Sequence, residues 1–179
     1  ISVEFLRTSL ERLSAQHPQI RMTGVGIDFA EGLHWPAEVV LRPDAPRVLF
    51  YPGSSIGNFT PTQALHYLQS LHATCAGVSG SGLLIGVDLV KDRTTLETAY
   101  DDPLGVTAAF NRNMLRHVNR QLGSDFAIED WRHLAYFDAA QSRIEMHLEA
   151  LRPVTVRWPG GQRSFAAGER IHTENSYKW

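Results

Sequence analysis

Apolar residues at Val3, Phe5, Leu6, Leu10 and Leu13 gather near one face of a helix over residues 2–16, which Pro18 stops. Residues 20–29 alternate loosely through Met22, Val25 and Ile27 and predict a buried strand. Residues 30–45 are irregular, with Pro36, Pro43 and, just beyond, Pro46. Residues 47–51 predict the next strand. Thr60-Pro61-Thr62-Gln63 is a capping box with proline at the first helical position. The helix it opens sets Ala64, Leu65, Leu68, Leu71 and Cys75 on one stripe and ends at Gly77. Residues 83–90 form a continuous apolar run, as in a central parallel strand. Alternating strands and helices at these spacings predict a doubly wound α/β sheet.

The pattern then changes. Asp102-Pro103 is expected to open a long helix, with Asp102 as its N-cap and Val106, Phe110, Met114, Val118 and Leu122 four residues apart. After Gly123 come shorter alternating runs over 133–138, 143–151, 154–158 and 164–167. Pro159-Gly160-Gly161 turns between the last two. This half reads as a helix plus an antiparallel meander. The predicted domains are 1–92 and 93–179.

Composition changes this picture little. The 179 residues suffice for one sizeable core, or a core with a small insertion. A net charge of −2 gives no electrostatic case for nucleic acid or an acidic membrane, and no apolar run approaches a membrane span. The single cysteine, Cys75, fits a reducing cytoplasm. The chain starts at Ile1 and stops at Trp179, which is read as a piece cut from a longer protein.

Two distant segments carry the most chemistry. Residues 53–59 (GSSIGNF) follow an apolar run and precede a capped helix, so backbone amides and Asn58 fall at the carboxyl end of a strand, where open α/β sheets bind ligands. In residues 171–178 (IHTENSYK), Glu174 and Ser176 alternate on a predicted strand and so point the same way. Together they suggest a pocket for a small polar molecule with a carboxylate at one end and a basic group at the other. Residues 53–57 also match G-x-S-x-G, the serine nucleophile elbow. Against it, the helix restarts at Thr60 instead of at Ser55. Glycines 77, 80 and 82 end a helix and open a strand, the reverse of a phosphate loop, and read as a C-cap and turn. Asp28 and Phe29 sit where an acid and a ring meet an adenine, or where an acid merely caps a strand. Asp88 is either a functional acid or a strand-end acid. Tyr100 is either a donor to a ligand carboxylate or packing. The histidines, among them His133, His147 and His172, are scattered without metal spacing, so no metal is expected.

Residues 50–60 (FYPGSSIGNFT), 86–92 (GVDLVKD), 99–102 (AYDD), 105–111 (GVTAAFN), 143–148 (RIEMHL) and 171–178, in that order, resemble the histidine-specific methyltransferases of ergothioneine biosynthesis. The resemblance implies a class I Rossmann-like methyltransferase core, here partial, with an inserted α+β substrate-binding domain. It implies trimethylation of the α-amine of L-histidine to hercynine with S-adenosylmethionine, in a cytoplasmic enzyme that is a monomer when intact. By motif, the Gly53 backbone, Asn58 and Tyr100 would hold the amino and carboxylate groups. Glu174 and Ser176 would hold the imidazole, Met146 would shape that pocket, and Asp28 and Phe29 would contact the cofactor's adenine.

The chain departs from the family pattern. Its glycine-rich cofactor loop, ribose-binding acid, N-terminal aromatics and closing core strands do not appear. An interior fragment with a half-built cofactor site and uncovered sheet edges is therefore expected. Three alternatives stay open: a non-catalytic amino-acid-binding domain, a methyltransferase for a related amino acid such as a tryptophan derivative, and a serine hydrolase using Ser55.

Overall fold

A computed structural model describes residues 3–28, 35–37, 39, 42 and 44–179. Phe29 lies outside the described residues. The chain is mixed α/β and divides into two compact units. One is Ile1–Leu49 with Leu65–Leu83, the other Phe50–Ala64 with Leu84–Trp179.

In the first unit, helix α1 (Val3–Gln16) buries none of its residues fully. The chain after it folds back over its apolar side: a Cβ on Gly24 would stand 3.3 Å from Leu10 and 3.4 Å from Leu6. The Ser14 hydroxyl donates to the Met22 sulfur at 3.8 Å. The strand expected over 20–29 is not formed in residues 21–28. Its side chains cover α1 instead of joining a ladder, and a strand without a ladder partner has no stability of its own.

Strands β1 (Val48–Tyr51) and β2 (Gly82–Ile85) form a two-stranded sheet. Gly82 N donates to Arg47 O at 2.9 Å and Gly86 N to Tyr51 O at 3.0 Å, so both strands advance together and the pair is parallel. The apolar run 83–90 is not one strand. Past Ile85 its backbone turns to the loop after β1: Ser54 N donates to Gly86 O at 3.1 Å, and Asp88 N to Ser54 Oγ at 2.8 Å. Leu89 and Val90 are exposed. The doubly wound sheet is thus reduced, among the described residues, to two parallel strands.

Helix α2 (Pro61–Cys75) starts with the anticipated capping box: Thr60 N donates to Gln63 Oε1 at 2.9 Å, and Gln63 N to Thr60 Oγ1 at 3.3 Å. Its buried stripe runs through Ala64, Tyr67 and Leu71, leaving Leu65 exposed.

The second unit holds helix α3 (Arg93–Tyr100), which the sequence reading did not separate; Asp92 caps it, accepting from Thr95 N at 2.9 Å. Helix α4 (Val106–Leu122) starts later than expected, with Gly105 at the N-cap position. Asp102 still caps it from outside, accepting from Thr107 N at 2.8 Å and Val106 N at 3.1 Å. Those bonds, the one from Thr107 foremost, lower its pKa to about 2. The buried face of α4 carries Asn111 and Leu115, whereas Val106, Phe110 and Leu122 are exposed. Positions four apart drift about 40° per step, so a row of five winds off any one face.

Strands β3 (Trp131–Asp138), β4 (Arg143–Ala150) and β7 (Arg170–Tyr177) form an antiparallel sheet in that order. A hairpin of β5 (Val154–Trp158) and β6 (Gly161–Phe165) lies between β4 and β7 in sequence. Thr173 is an extra residue in β7: His147 pairs with His172, and Met146 with Glu174. One core cluster joins Leu115, Trp131, Leu148, Ala150, Val156 and Phe165, with Trp131 edge-on to Phe165 at 5.0 Å. A second joins Leu96 to Phe137, Ile144 and Met146, with Tyr100 packed against it.

Candidate functional site

The site grows from the close approach of two elements in the second unit. Residues Ser55–Asn58 form a 3-10 turn that backs onto the end of β7. Gly57 permits the contact: a Cβ there would stand 2.8 Å from the Tyr177 carbonyl oxygen and 3.3 Å from Ser176 Oγ. Asn58, next in the turn, reaches an open cleft of about 520 Å³ lined also by His172, Thr173, Glu174 and Asn175. The cleft therefore brings Asn58 and Glu174 together across 116 residues of sequence.

On β4, residues 144, 146 and 148 face the core and 143, 145, 147 and 149 face away, as strand alternation requires. Register carries this across to β7. Glu174 lies opposite Met146 and Ser176 opposite Ile144, so both belong to the core side. Met146 is buried among Leu96, Phe137 and Ile144. Glu174 is half-buried, its carboxylate has no hydrogen-bond partner among the described residues, and burial raises its pKa. Its carboxylate oxygens can accept from an N–H donor in the cleft.

Ser176 and Tyr100 are joined directly, Oγ to Oη, at 2.7 Å. Tyr100 is held by helix α3, whose Leu96 anchors the same cluster, and its carbonyl contacts His133 Nε2 at 2.8 Å. Lys178, which the sequence reading gave no role, donates to Tyr100 Oη at 2.7 Å and to Ser176 Oγ at 3.0 Å. Its ammonium also lies 3.1 Å from Asp88 Oδ2 and 4.5 Å from the centre of the Tyr100 ring. A signal for it existed: Lys178 continues the alternation of Glu174 and Ser176. Asp88, left open from sequence, is the counter-charge of Lys178 and of Lys91, 2.5 Å away. The Lys91 bond leads in lowering its pKa, and burial opposes it.

The remaining expected site residues are placed less tightly. Gly53 has φ +73° and nothing within 4 Å of an added Cβ; its amide lies beside Gly86. Asp28 is exposed, in a segment without a strand. Its expected companion, Phe29, lies outside the described residues.

Ser55 does not resemble a nucleophile. Its Oγ donates to Pro52 O at 3.4 Å, and the strained backbone belongs to Ser54, φ 54°. The Ser54 hydroxyl is engaged by Asp88 N.

The far face of the sheet is polar and layered. Tyr136 stacks on His147 with centroids 5.3 Å apart, and His147 on His172 at 4.6 Å. Two histidines read as scattered are thus neighbours, and with Glu145 they form a group of three possible metal ligands. Their ring planes lie 19° apart, so the in-plane lone pairs run side by side without converging. Glu145 is also occupied by Arg143, Tyr136 and His147. Burial alone would raise its pKa; those three bonds outweigh it and hold it at about 2.

One open cleft in a mixed α/β protein is thus lined by the Asn58 amide and by a half-buried carboxylate, Glu174, that has no hydrogen-bond partner among the described residues. A family model described as histidine-specific methyltransferase, SAM-dependent, matches residues 1–179, and the chain belongs to that family. It is 40% identical over 176 residues to the histidine N-alpha-methyltransferase of Mycolicibacterium smegmatis, covering 97% of this chain and 53% of the relative. It is 39% identical over 184 residues to the protein of the same name from Mycobacterium tuberculosis, covering 100% and 54%. A 4-dimethylallyltryptophan N-methyltransferase of Claviceps purpurea is 33% identical over 163 residues, covering 83% and 47%. The chain spans about half the length of the curated relatives it matches. None of the described helices is long and apolar enough to cross a membrane.

Proposed function

We propose that this chain supplies the acceptor-binding part of an S-adenosylmethionine-dependent N-methyltransferase that trimethylates the α-amine of L-histidine to hercynine. The shared cleft of Asn58 and Glu174 carries the reading. Glu174 accepts a ring N–H. Ser176, two residues on, meets the ring's other side, and Met146 opposite Glu174 shapes the wall. Asn58, Tyr100 and the Gly53 backbone take the amino and carboxylate groups. Within the family's Rossmann-like architecture, residues 1–92 would belong to the core and 93–179 to the inserted substrate domain, with Asp28 and Phe29 toward the adenine.

Methyl transfer to nitrogen needs a neutral amine and alignment more than a strong acid or base. Asn58 and Tyr100 offer neutral dipoles at the amine end. Among the described residues lining the cleft Glu174 is the carboxylate, and this reading assigns it to the ring. A pocket built to bond ring N–H groups rejects acceptors lacking them. A tryptophan derivative, the acceptor named for the Claviceps relative, offers one N–H where imidazole offers up to two, so Glu174 with Ser176 favours histidine.

The test is methyl transfer to L-histidine and to tryptophan derivatives by this chain and by the protein as naturally encoded, with products read by mass spectrometry. Hercynine from either supports the reading. Methylation of a tryptophan derivative alone, or of neither acceptor, refutes it.

A further inference from the structure

This inference deepens the acceptor-site reading and rests on it. Lys178 is the most enclosed charge in the second unit's site: its side chain is 0% exposed. A buried ammonium persists only where its charge and protons are met. Its three protons have three acceptors: Tyr100 Oη, Ser176 Oγ and Asp88 Oδ2, at 2.7, 3.0 and 3.1 Å.

An ammonium donates and cannot accept. Both hydroxyl oxygens therefore accept from Lys178. The hydroxyls also bond each other at 2.7 Å, so one donates to the other and a single hydroxyl proton is left to point elsewhere. If Tyr100 donated to Ser176, a Tyr100 lone pair would face the acceptor's carboxylate. The reverse arrangement meets both ends of the ligand.

We propose that Lys178 is a positioning residue that sets the hydrogen-bond polarity of the acceptor site. Ser176 donates to Tyr100, and the Tyr100 proton turns outward to the carboxylate. The remaining Ser176 lone pair joins Glu174 in accepting ring N–H groups. Asp88 holds the ammonium from behind and supplies the compensating charge. The amino-acid end of the cleft is thus made a donor and the ring end an acceptor, by a lysine that need not touch the substrate.

The test compares L-histidine with histamine, which lacks the carboxylate, by calorimetry on the naturally encoded protein and its Lys178→Met variant. In the wild type histidine binds more tightly than histamine. In the variant, histidine is expected to weaken at least about tenfold, as for loss of a hydrogen bond to a charged group. Histamine shares the ring contact and has no carboxylate contact to lose, so it is expected to weaken by the ring contact alone and clearly less than histidine. Equal weakening of both ligands would show a merely structural lysine and overturn the proposal, as would an unchanged preference. A wild type that ignores histidine overturns the acceptor-site reading, and this proposal with it. Neutron diffraction from the wild type needs no variant to fold. A Tyr100 proton directed away from Ser176 supports the assignment, and one on the line to Ser176 overturns it.

Discussion

Glu174→Gln separates recognition from stability, because its two effects have opposite signs. The carboxylate is half-buried, and its pKa is raised by that burial. A hydrogen bond to a charged acceptor contributes about 1.5–3 kcal/mol, a neutral one about 0.5–1.5. Exchanging carboxylate for amide therefore costs roughly 1–1.5 kcal/mol, or about tenfold in histidine affinity. Glu174→Ala, which removes the acceptor altogether, is expected to cost roughly ten- to a hundredfold. The unliganded protein responds in the other direction. A carboxyl whose folded pKa lies above its unfolded value of 4.5 binds its proton more tightly when folded. Stability falls as pH rises from 4.5 through the raised value, and above that range burial of the carboxylate opposes folding. Glu174→Gln should therefore raise Tm at pH 7, with the gain vanishing below pH 4.5. The assays are calorimetric titration with histidine and with S-adenosylmethionine, and thermal melts at pH 4 and 7. Equal loss of affinity for both ligands, or a lower Tm at pH 7, would refute the reasoning.

Gly57→Ala drives a Cβ to 2.8 Å from the Tyr177 carbonyl, so overpacking of about 1–3 kcal/mol is expected, with weaker histidine binding as Asn58 shifts. Gly53→Ala meets no atom, so only its left-handed backbone resists, at about 1–2 kcal/mol, and thermal melts should rank the two accordingly. Glu145, held at about 2, contributes stability that is complete above pH 4.5 and lost as pH falls through 2. Glu145→Gln should thus lower stability by about 1–3 kcal/mol at pH 6, with the gap closing toward pH 2 in urea titrations. Ser55→Ala is expected to leave methyl transfer within about twofold, because one long bond to Pro52 O is all that is lost. Fluorophosphonate labelling that disappears in this variant would instead restore the hydrolase alternative.

Much of the second unit was legible because its signals are local. The run 154–158 became β5 with the same bounds, and Pro159-Gly160-Gly161 turned the chain with Gly160 at φ 96°. The Thr60–Gln63 box is a four-residue device and formed intact. What depended on partners was not legible. Residues 20–29 have strand composition, yet Met22 and Gly24 lie against α1. The strand expected from 83 to 90 was cut short by Ser54, a residue 34 positions earlier. The buried face of α4 is centred on Asn111, a polar residue no hydrophobic count would select. It lies 2.9 Å from His133 and donates to the His147 carbonyl at 3.1 Å. At the site, the alternation of Glu174 and Ser176 was visible in sequence. The approach of the 55–58 turn to β7 and the protons of Lys178 exist only in three dimensions.

The extra residue at Thr173 has a consequence for altering this protein. Before it, even-numbered β7 residues such as His172 belong to the polar face with His147; after it, even-numbered Glu174 and Ser176 belong to the core face with Met146 and Ile144. Deleting Thr173 would make His172 and Glu174 neighbours, which strand alternation already sends to opposite faces, so both halves of the strand would keep their faces and only the bulge would be lost. A single-codon deletion at this point is therefore absorbed by the bulge: Glu174 and Ser176 stay on the core face, and what is lost is the local bend and the Thr173 hydroxyl's bond to the Met146 carbonyl.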